Sequence, residues 1–344
     1  MDGNAFVAIL HMQLPKREND RVAQQVKFFL NSFFSGPQAP FFLAADNGHF
    51  ARFGLDVQFT EGASLAYAVT VLAGGGYDVA YGDMNKLIEM KSVDPASSPL
   101  AVWAMHNRSP YTIAVDADGP IRTPADLAGR KLGSHPEDAA WKLFPEFCAA
   151  TGVDITTVSV EASDLSHDEM VPLMREGRWD GIFGFVNTVR AHTIEAGLDP
   201  DRVLRHLEFR QYLPDLYGGA VMATRDFASK NPEAVRGLLA AINLGLKDAI
   251  ADPDAAIAAV ARRNPAVDVK ANRARLVGTL GLEMADPEGG RIGIGDLDDE
   301  RLLAGAALIV KAKNLSRLPA AGEVFDRQFL PPLGERVTSL ADKT

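Results

Sequence analysis

Short runs of β-branched and aromatic residues alternate with longer amphipathic stretches through the first two thirds of the chain. Strands that alternate with helices are typical of βαβ units, whose helices cover both faces of a parallel sheet. Helical periodicity is present at 38–51, 64–74, 83–91, 137–151, 167–177 and 187–196. Strands are predicted at 26–30, 55–60, 77–82, 100–105, 111–115, 131–133, 156–161, 180–185, 203–206 and 219–224.

After about residue 226 the pattern becomes almost wholly helical. Asn231 and Asp252 can each cap a helix, because a proline follows each of them at the first helical position, where its missing N–H costs nothing. A longer helical pattern covers 297–312. The chain therefore predicts an α/β protein with a helical C-terminal region.

Residues 72–82 and 174–184 form a faint internal repeat. In both, a helix ends at a glycine, an aromatic residue precedes Asp78 or Asp180, and a buried strand runs to a glycine. Two similar α/β lobes would produce this repeat, and a chance match is the alternative. Because open α/β sheets bind ligands beyond the carboxyl ends of their strands, the loops after these two strands are candidate walls of a cleft.

Size and charge narrow the classes of partner. The 344 residues exceed the size at which one hydrophobic core usually divides, so two lobes are expected. The net charge of −10 opposes binding to phosphate backbones, which excludes nucleic acid and anionic membrane surfaces as expected partners. No apolar run approaches the roughly 18 residues of a membrane span. A lone cysteine, Cys148, excludes an internal disulfide and a multi-thiolate metal site.

Several kinds of reaction chemistry leave no motif in the chain. There is no phosphate-binding P-loop, and the glycine-rich segment 289–295 runs into an acidic cluster that would repel a dinucleotide, so we interpret it as a loop. The seven histidines, at 11, 49, 106, 135, 167, 192 and 206, lack the i, i+4 spacing of a zinc helix. No metal site and no cofactor are predicted.

The N-terminus does not have the three-part form of a secretory signal. An apolar stretch at 5–10 has no basic residue before it, and charged residues follow from Lys16 onward. We expect a periplasmic or cell-surface location if a signal peptide lies upstream, and a cytoplasmic one otherwise.

Three segments carry a resemblance to a known family, and they span about 25–332. The motifs are Phe53-Gly54-Leu55-Asp56-Val57, Thr123-Pro124-Ala125-Asp126-Leu127-Ala128-Gly129-Arg130-Lys131 and Phe325-Asp326-Arg327-Gln328-Phe329-Leu330-Pro331. With them the chain resembles the substrate-binding proteins of ABC importers, in the NMT1/THI5-like branch that is also similar to sulfonate, nitrate and taurine binders.

The resemblance implies a two-lobed periplasmic-binding-protein type II fold, in which each lobe is a mixed, mostly parallel sheet flanked by helices. Lobe 1 would comprise 25–107 plus 220–332, and lobe 2 would comprise 110–218. An N-terminal extension, 1–24, and a tail, 333–344, complete the chain. Ligand binding would be hinge closure of the two lobes.

Ligands in this family contact the loops at strand ends and the helix N-termini. Phe33 and Phe34 can stack on a planar ligand or pack in the core. Ser64 can present helix N–H groups to an anion or simply cap its helix. Arg108 can bind a carboxylate or sulfonate, or remain a solvated hinge charge. The full set of candidates is Asn31, Phe33, Phe34, Ala63, Ser64, Gly82, Asp83, Asn107, Arg108, His135, Glu137, Trp141, Phe185, Asn187 and Tyr217.

Two functions compete. The first is a solute-binding protein that delivers a pyrimidine-precursor-like compound, a sulfonate or an aromatic carboxylate to the permease and ATPase subunits of an ABC importer. The second is a cytoplasmic desulfinase-like, decarboxylase-like or pyrimidine-synthesis-like enzyme that uses the same cleft, with His135 and Glu137 for acid–base catalysis. The first loop, where the desulfinases resembled would carry a thiol, contains no cysteine. The sequence therefore favours the binding protein.

Overall fold

Two five-stranded sheets form the framework of the computed structural model, which describes residues 23–340. The first sheet has the order β2-β1-β3-β10-β4, and the second has the order β7-β6-β8-β5-β9. The strands are β1 (Gln24–Phe29), β2 (Leu55–Thr60), β3 (Val79–Asp83), β4 (Leu100–Ala104), β5 (Tyr111–Asp116), β6 (Lys131–Ser134), β7 (Ser159–Ala162), β8 (Gly181–Phe185), β9 (Leu204–Glu208) and β10 (Gly219–Ala223).

Helices flank both sheets and make up most of the chain after β10. A π-helix, Thr279–Met284, follows α13 directly. The α-helices are α1 (Ala39–Asp46), α2 (His49–Arg52), α3 (Leu65–Ala73), α4 (Met84–Val93), α5 (Ala139–Lys142), α6 (Phe144–Thr151), α7 (His167–Arg175), α8 (Val186–Glu195), α9 (Pro200–Val203), α10 (Arg225–Lys230), α11 (Pro232–Ala251), α12 (Pro253–Arg263), α13 (Val269–Gly278), α14 (Pro287–Ile292), α15 (Asp299–Ala312) and α16 (Ala321–Val324).

Each sheet is mixed, with a single antiparallel strand in the fourth position. In the first sheet β1 pairs in parallel with β2 and β3, and β10 runs antiparallel to β3 and β4. In the second sheet β6 pairs in parallel with β7 and β8, and β5 runs antiparallel to β8 and β9. The predicted fold class, α/β with two mixed and mostly parallel sheets, is therefore confirmed.

The internal repeat corresponds to two equivalent strands with the same local anchor. One side-chain oxygen of Asp78 accepts the backbone N–H of Lys27 at 2.9 Å, at the start of the β1–β3 pairing. Asp180 accepts the backbone N–H of Lys131 at 2.9 Å in the second sheet. Because β3 and β8 occupy the same place in their sheets, the repeated aspartates perform the same structural task twice.

All ten predicted strands are present, and their ends differ from the prediction by a few residues. The largest difference is at β7, because Asp154 caps a 3-10 helix, Ile155–Thr157, where the strand was predicted to begin. The predicted helix 38–51 divides at Gly48, whose φ of 71° is incompatible with a continuing helix. The predicted helix 137–151 divides at Leu143, just before Pro145 of α6.

Two large hydrophobic clusters fill the protein. One lies between the first sheet and helices α1, α11 and α12. The other extends from α3 and α4 of the first lobe to the second sheet and α6, and includes residues of α15. Lys313, just after α15, lies 3.6 Å from Glu89 of α4 and 3.6 Å from Glu146 of α6. The C-terminal helices therefore pack against both lobes.

The predicted N-terminal extension, 1–24, lies almost entirely outside the described residues, and so does the end of the predicted tail, 333–344. Among the described helices, none combines the length and the apolar character needed to cross a membrane.

Candidate functional site

The helix α8, which follows β8 of the second sheet, packs against α13 and the π-helix, and we refer to this junction between the lobes as the cleft. The Asn187 amide, after β8, donates to the backbone oxygen of Arg275 at 2.6 Å and to the hydroxyl of Thr279 at 3.0 Å. A cavity of about 340 Å³ lies beside this contact. Asn187, a predicted ligand residue, therefore joins the lobes.

A second bridge connects Asp83 of the first lobe to Tyr111 of the second. Asp83 caps α4 by accepting the N–H groups of Asn85 and Lys86, and it also accepts the Tyr111 hydroxyl. Burial raises the pKa of the Asp83 carboxyl and holds the pKa of Tyr111 well above its ordinary value. The predicted residue Gly82 is buried, and Phe185 packs edge-on against Tyr111 at 5.4 Å.

Three predicted hinge residues are engaged by the chain itself. Arg108 pairs with Asp286 at 3.1 Å. Tyr217 donates its hydroxyl to Glu288 at 2.8 Å, and the Asn107 amide donates to the same carboxylate at 3.2 Å. Their polar groups therefore hold the segment 286–288 against the hinge.

A buried polar chain crosses the hinge next to these residues. The Tyr81 hydroxyl lies 2.6 Å from His106 Nε2, and the Glu283 carboxylate lies 3.4 Å from the same nitrogen. His106 Nδ1 accepts the N–H of Gly219, which fixes its proton on Nε2. Burial lowers the pKa of His106 to about 3 and raises the pKa of Glu283 to about 7. His106 is therefore neutral at physiological pH.

Arg275 is an arginine without a partner at the cleft. Four arginines of the described chain have neither an ion pair nor a side-chain hydrogen bond, and three of them, Arg52, Arg122 and Arg202, are exposed. The Nε of Arg275 is buried without a partner. Burial lowers the pKa of its guanidinium, whereas the charges of Glu195 and Glu283 raise it.

Histidines from three separate segments meet in the second lobe. The ring centres of His135 and His167 are 4.7 Å apart, and the rings of His167 and His192 stack at 5.8 Å. Burial, the neighbouring histidines and the charge of Arg275 lower the pKa of His167 to about 3. The guanidinium of α13 and this histidine group therefore interact electrostatically across the cleft.

The family of the chain can now be stated. The family model described as NMT1/THI5 like matches residues 37–256, which is more than half of the sequence. The chain belongs to the NMT1/THI5-like family. No curated protein is similar enough in sequence to count as a relative.

Solved structures share the fold of this NMT1/THI5-like protein at low identity. A protein of Bordetella bronchiseptica has a TM-score of 0.67 and 18% identity, over 89% of this chain and 95% of its own. The alkanesulfonate-binding protein SsuA of Xanthomonas axonopodis pv. citri, bound to MOPS, has a TM-score of 0.64 and 18% identity, over 89% and 99%. The desulfurization enzyme DszB has a TM-score of 0.57 and 13% identity, over 88% and 97%.

The remaining predicted residues of the NMT1/THI5-like protein differ in environment. Phe33 is 71% exposed, whereas Phe34 packs against Phe42 at 4.9 Å. Asn31 accepts the Gln38 amide at 2.7 Å, Ala63 is exposed, and Ser64 caps α3. Glu137 is exposed and lies 3.6 Å from Lys142, whose ammonium lies over the Trp141 ring at 5.6 Å.

The polar groups that the sequence did not single out are His106, His167, Arg275 and Glu283. Arg275 and Glu283 lie in helical segments whose pattern predicts only packing. The two histidines lack any motif spacing. Their significance depends on burial and, for Arg275, on a missing side-chain partner, which are properties of the folded chain.

Proposed function

We propose that this NMT1/THI5-like protein binds a small organic anion, a sulfonate or a carboxylate, between its lobes and delivers it to an ABC importer. The observation that carries the proposal is the half-buried side chain of Arg275, whose buried Nε has no hydrogen-bond partner. Burial of a charge without a partner is costly, so a site that retains one is suited to a ligand of opposite charge.

The surroundings of Arg275 favour an anion over a neutral ligand. A guanidinium presents a planar fork of donors that matches a carboxylate or a sulfonate. His167 and His106 are neutral at physiological pH, so they add no charge to the surroundings of the anion. Phe185 is half-buried at the end of β8 and packs against the buried Tyr111, so one aromatic ring is available to an aryl group on the anion.

The transport role is supported by the family and by the fold shared with the alkanesulfonate-binding protein SsuA. Its partners would be the small-molecule ligand and the permease and ATPase subunits of an importer. The protein would act in the periplasm or at the cell surface.

The test is isothermal titration calorimetry of the full chain with alkanesulfonates, arylsulfonates, aromatic carboxylates and a thiamine pyrimidine. Arg275→Gln is expected to lower the affinity for the best anion by roughly 10- to 100-fold, because it removes a charge-assisted contact. The affinity of Arg275→Lys should lie between those of the wild type and Arg275→Gln, because lysine keeps the positive charge and loses the planar fork of donors.

Arg122→Gln, at an exposed arginine that also lacks a partner, is the matched control and should bind like the wild type. The proposal is wrong if a neutral pyrimidine binds more tightly than every anion and Arg275→Gln leaves its affinity unchanged.

The enzyme alternative is distinguished by mass spectrometry of each ligand after incubation. His135 donates to a backbone oxygen, and Glu137 lies in solvent beside Lys142, so these two side chains are occupied separately. The thiol of Cys148 lies in α6, where burial raises its pKa to about 12. We expect the ligand to be recovered unchanged, and its consumption would favour the enzyme.

A further inference from the structure

We propose that His135, Asp138 and His167 form a binding site for a divalent transition-metal ion, with Zn²⁺ as the representative ion. One donor atom of each residue lies within 4.8 Å of the donor atoms of the other two. His135 follows β6 and His167 follows β7, so adjacent parallel strands bring both rings to one edge of the second sheet.

The hydrogen bonds of the two histidines prepare them as ligands. His135 Nε2 lies 2.6 Å from the backbone oxygen of Leu165, and His167 Nε2 lies 2.9 Å from that of Phe183. Each Nε2 must therefore carry the proton, which leaves a lone pair on each Nδ1. Histidines that bind metals typically donate their second ring nitrogen in this way.

Asp138 provides the third donor and the negative charge. One carboxylate oxygen accepts the N–H groups of Ala140 and Trp141 at 2.7 and 3.1 Å, and the other has no hydrogen-bond partner in the described chain. The residue is 8% exposed and forms no ion pair with a described lysine or arginine. A bound cation would compensate the negative charge of this buried carboxylate.

Two imidazoles and one carboxylate are a donor set that suits Zn²⁺ and related ions better than Mg²⁺ or Ca²⁺. Donors around Zn²⁺ lie about 3.3 Å apart, given bonds of about 2.0 Å. Side-chain rotations that shorten the separations by up to about 1.5 Å would complete the site. Three protein ligands leave a fourth position for water or a ligand oxygen.

The neighbouring group of Asp168, His192 and Glu195 is a weaker candidate. Its members already pair with each other, because His192 Nδ1 lies 2.5 Å from Glu195 and 3.5 Å from Asp168. It therefore serves as an internal comparison in the test.

The experiment titrates Zn²⁺ into the metal-free full chain, without any organic ligand, and records the visible spectrum after Co²⁺ substitution. We expect one ion per chain with micromolar or tighter affinity and cobalt absorption bands in the visible range. Because this titration contains no organic anion, its result tests only the metal site. The proposed function is tested separately by the anion titrations.

His135→Gln and Asp138→Asn should each weaken Zn²⁺ binding at least 10-fold and remove the cobalt bands. Both substitutions can retain the structural hydrogen bonds, since glutamine can donate to Leu165 and asparagine is a good helix cap. Circular dichroism of the metal-free variants checks the fold. His192→Gln, His49→Gln and the cap variant Asp252→Asn should bind like the wild type.

Two results would overturn the proposal. One is the absence of stoichiometric Zn²⁺ binding at 100-fold the expected micromolar dissociation constant. The other is binding that persists in His135→Gln and Asp138→Asn, or that is lost only in His192→Gln.

Discussion

Glu283 is a carboxylic acid enclosed at the hinge, 3% exposed, with His106, Tyr81, Arg210, Arg275 and Thr279 around it. Burial raises the pKa of Glu283 from 4.5 to about 7, so the folded protein holds a proton that the unfolded chain releases between these values. The stability that this proton provides is fully present below pH 4.5 and is lost as the pH rises through about 7.

Glu283→Gln should therefore raise the melting temperature at pH 8 by a few degrees and change it little at pH 5. Glutamine has nearly the same shape and carries no charge, and the shift in pKa corresponds to at most about 3 kcal/mol. The measurement is thermal unfolding of both proteins from pH 4 to 8.

The comparison is made at equal pH because His106 acts in the opposite sense. Burial lowers its pKa to about 3, so its contribution is present above pH 6.5 and is lost as the pH falls through 3. Glu176→Gln, at an exposed glutamate, is the control. Equal shifts for Glu283→Gln at pH 5 and pH 8 would contradict the explanation.

At the same scale, the sequence identified some site residues and missed others for a physical reason. His135 and Asn187 were predicted because they follow strands, and strand ends are recognisable from local patterning. Arg275 could not be distinguished, since its helix contains a second arginine, Arg273, that simply pairs with Asp254. Only the fold determines which of the two forms an ion pair.

At the scale of elements, the contact between α8 and α13 depends on the absence of a side chain at Gly278. A Cβ built at this glycine would lie 2.0 Å from Asn187 Oδ1, although its φ of −63° suits any residue. Gly278→Ala should therefore displace Asn187 and break its bonds to Arg275 and Thr279. Helix propensity alone would favour alanine by up to about 1 kcal/mol.

We expect Gly278→Ala to have a larger radius of gyration than the wild type in small-angle X-ray scattering of the ligand-free protein, because the lobes separate. Gly290→Ala is the matched control, since its Cβ would meet only the oxygen of Thr338, at 3.6 Å. Identical scattering from Gly278→Ala and the wild type would show that this contact does not hold the lobes together.

The elements themselves were largely predictable, because each strand is a short apolar run between turn residues. The sequence could not show which strands pair or that β5 and β10 run antiparallel, since both are buried on both faces like their parallel neighbours. Strand direction depends on the two crossings between the sheets, which no local pattern encodes.

At the scale of the whole molecule, the hydrophobic cluster that includes Leu72, Phe147 and Ile309 joins both lobes and α15. Separate unfolding of one lobe would expose this shared surface, so urea denaturation should be a single transition. Trp103 lies in the first sheet, whereas Trp141 and Trp179 lie in the second lobe.

In the Trp103→Phe variant, the remaining tryptophan fluorescence therefore monitors unfolding of the second lobe only. In the double variant Trp141→Phe/Trp179→Phe, it monitors unfolding of the first lobe only. In each variant the fluorescence midpoint should coincide with the midpoint from circular dichroism. A fluorescence midpoint that precedes the circular dichroism midpoint in one variant would reveal independent lobes.

The strand in the fourth position of each sheet comes from the other half of the chain. β5 follows β4 in the chain but completes the second sheet, and β10 follows β9 but completes the first. Two tandem copies of a five-stranded unit that exchange their last strands give this arrangement. Each half of the chain is thus a strand short without the other, and the hinge is the place where the two halves depend on each other.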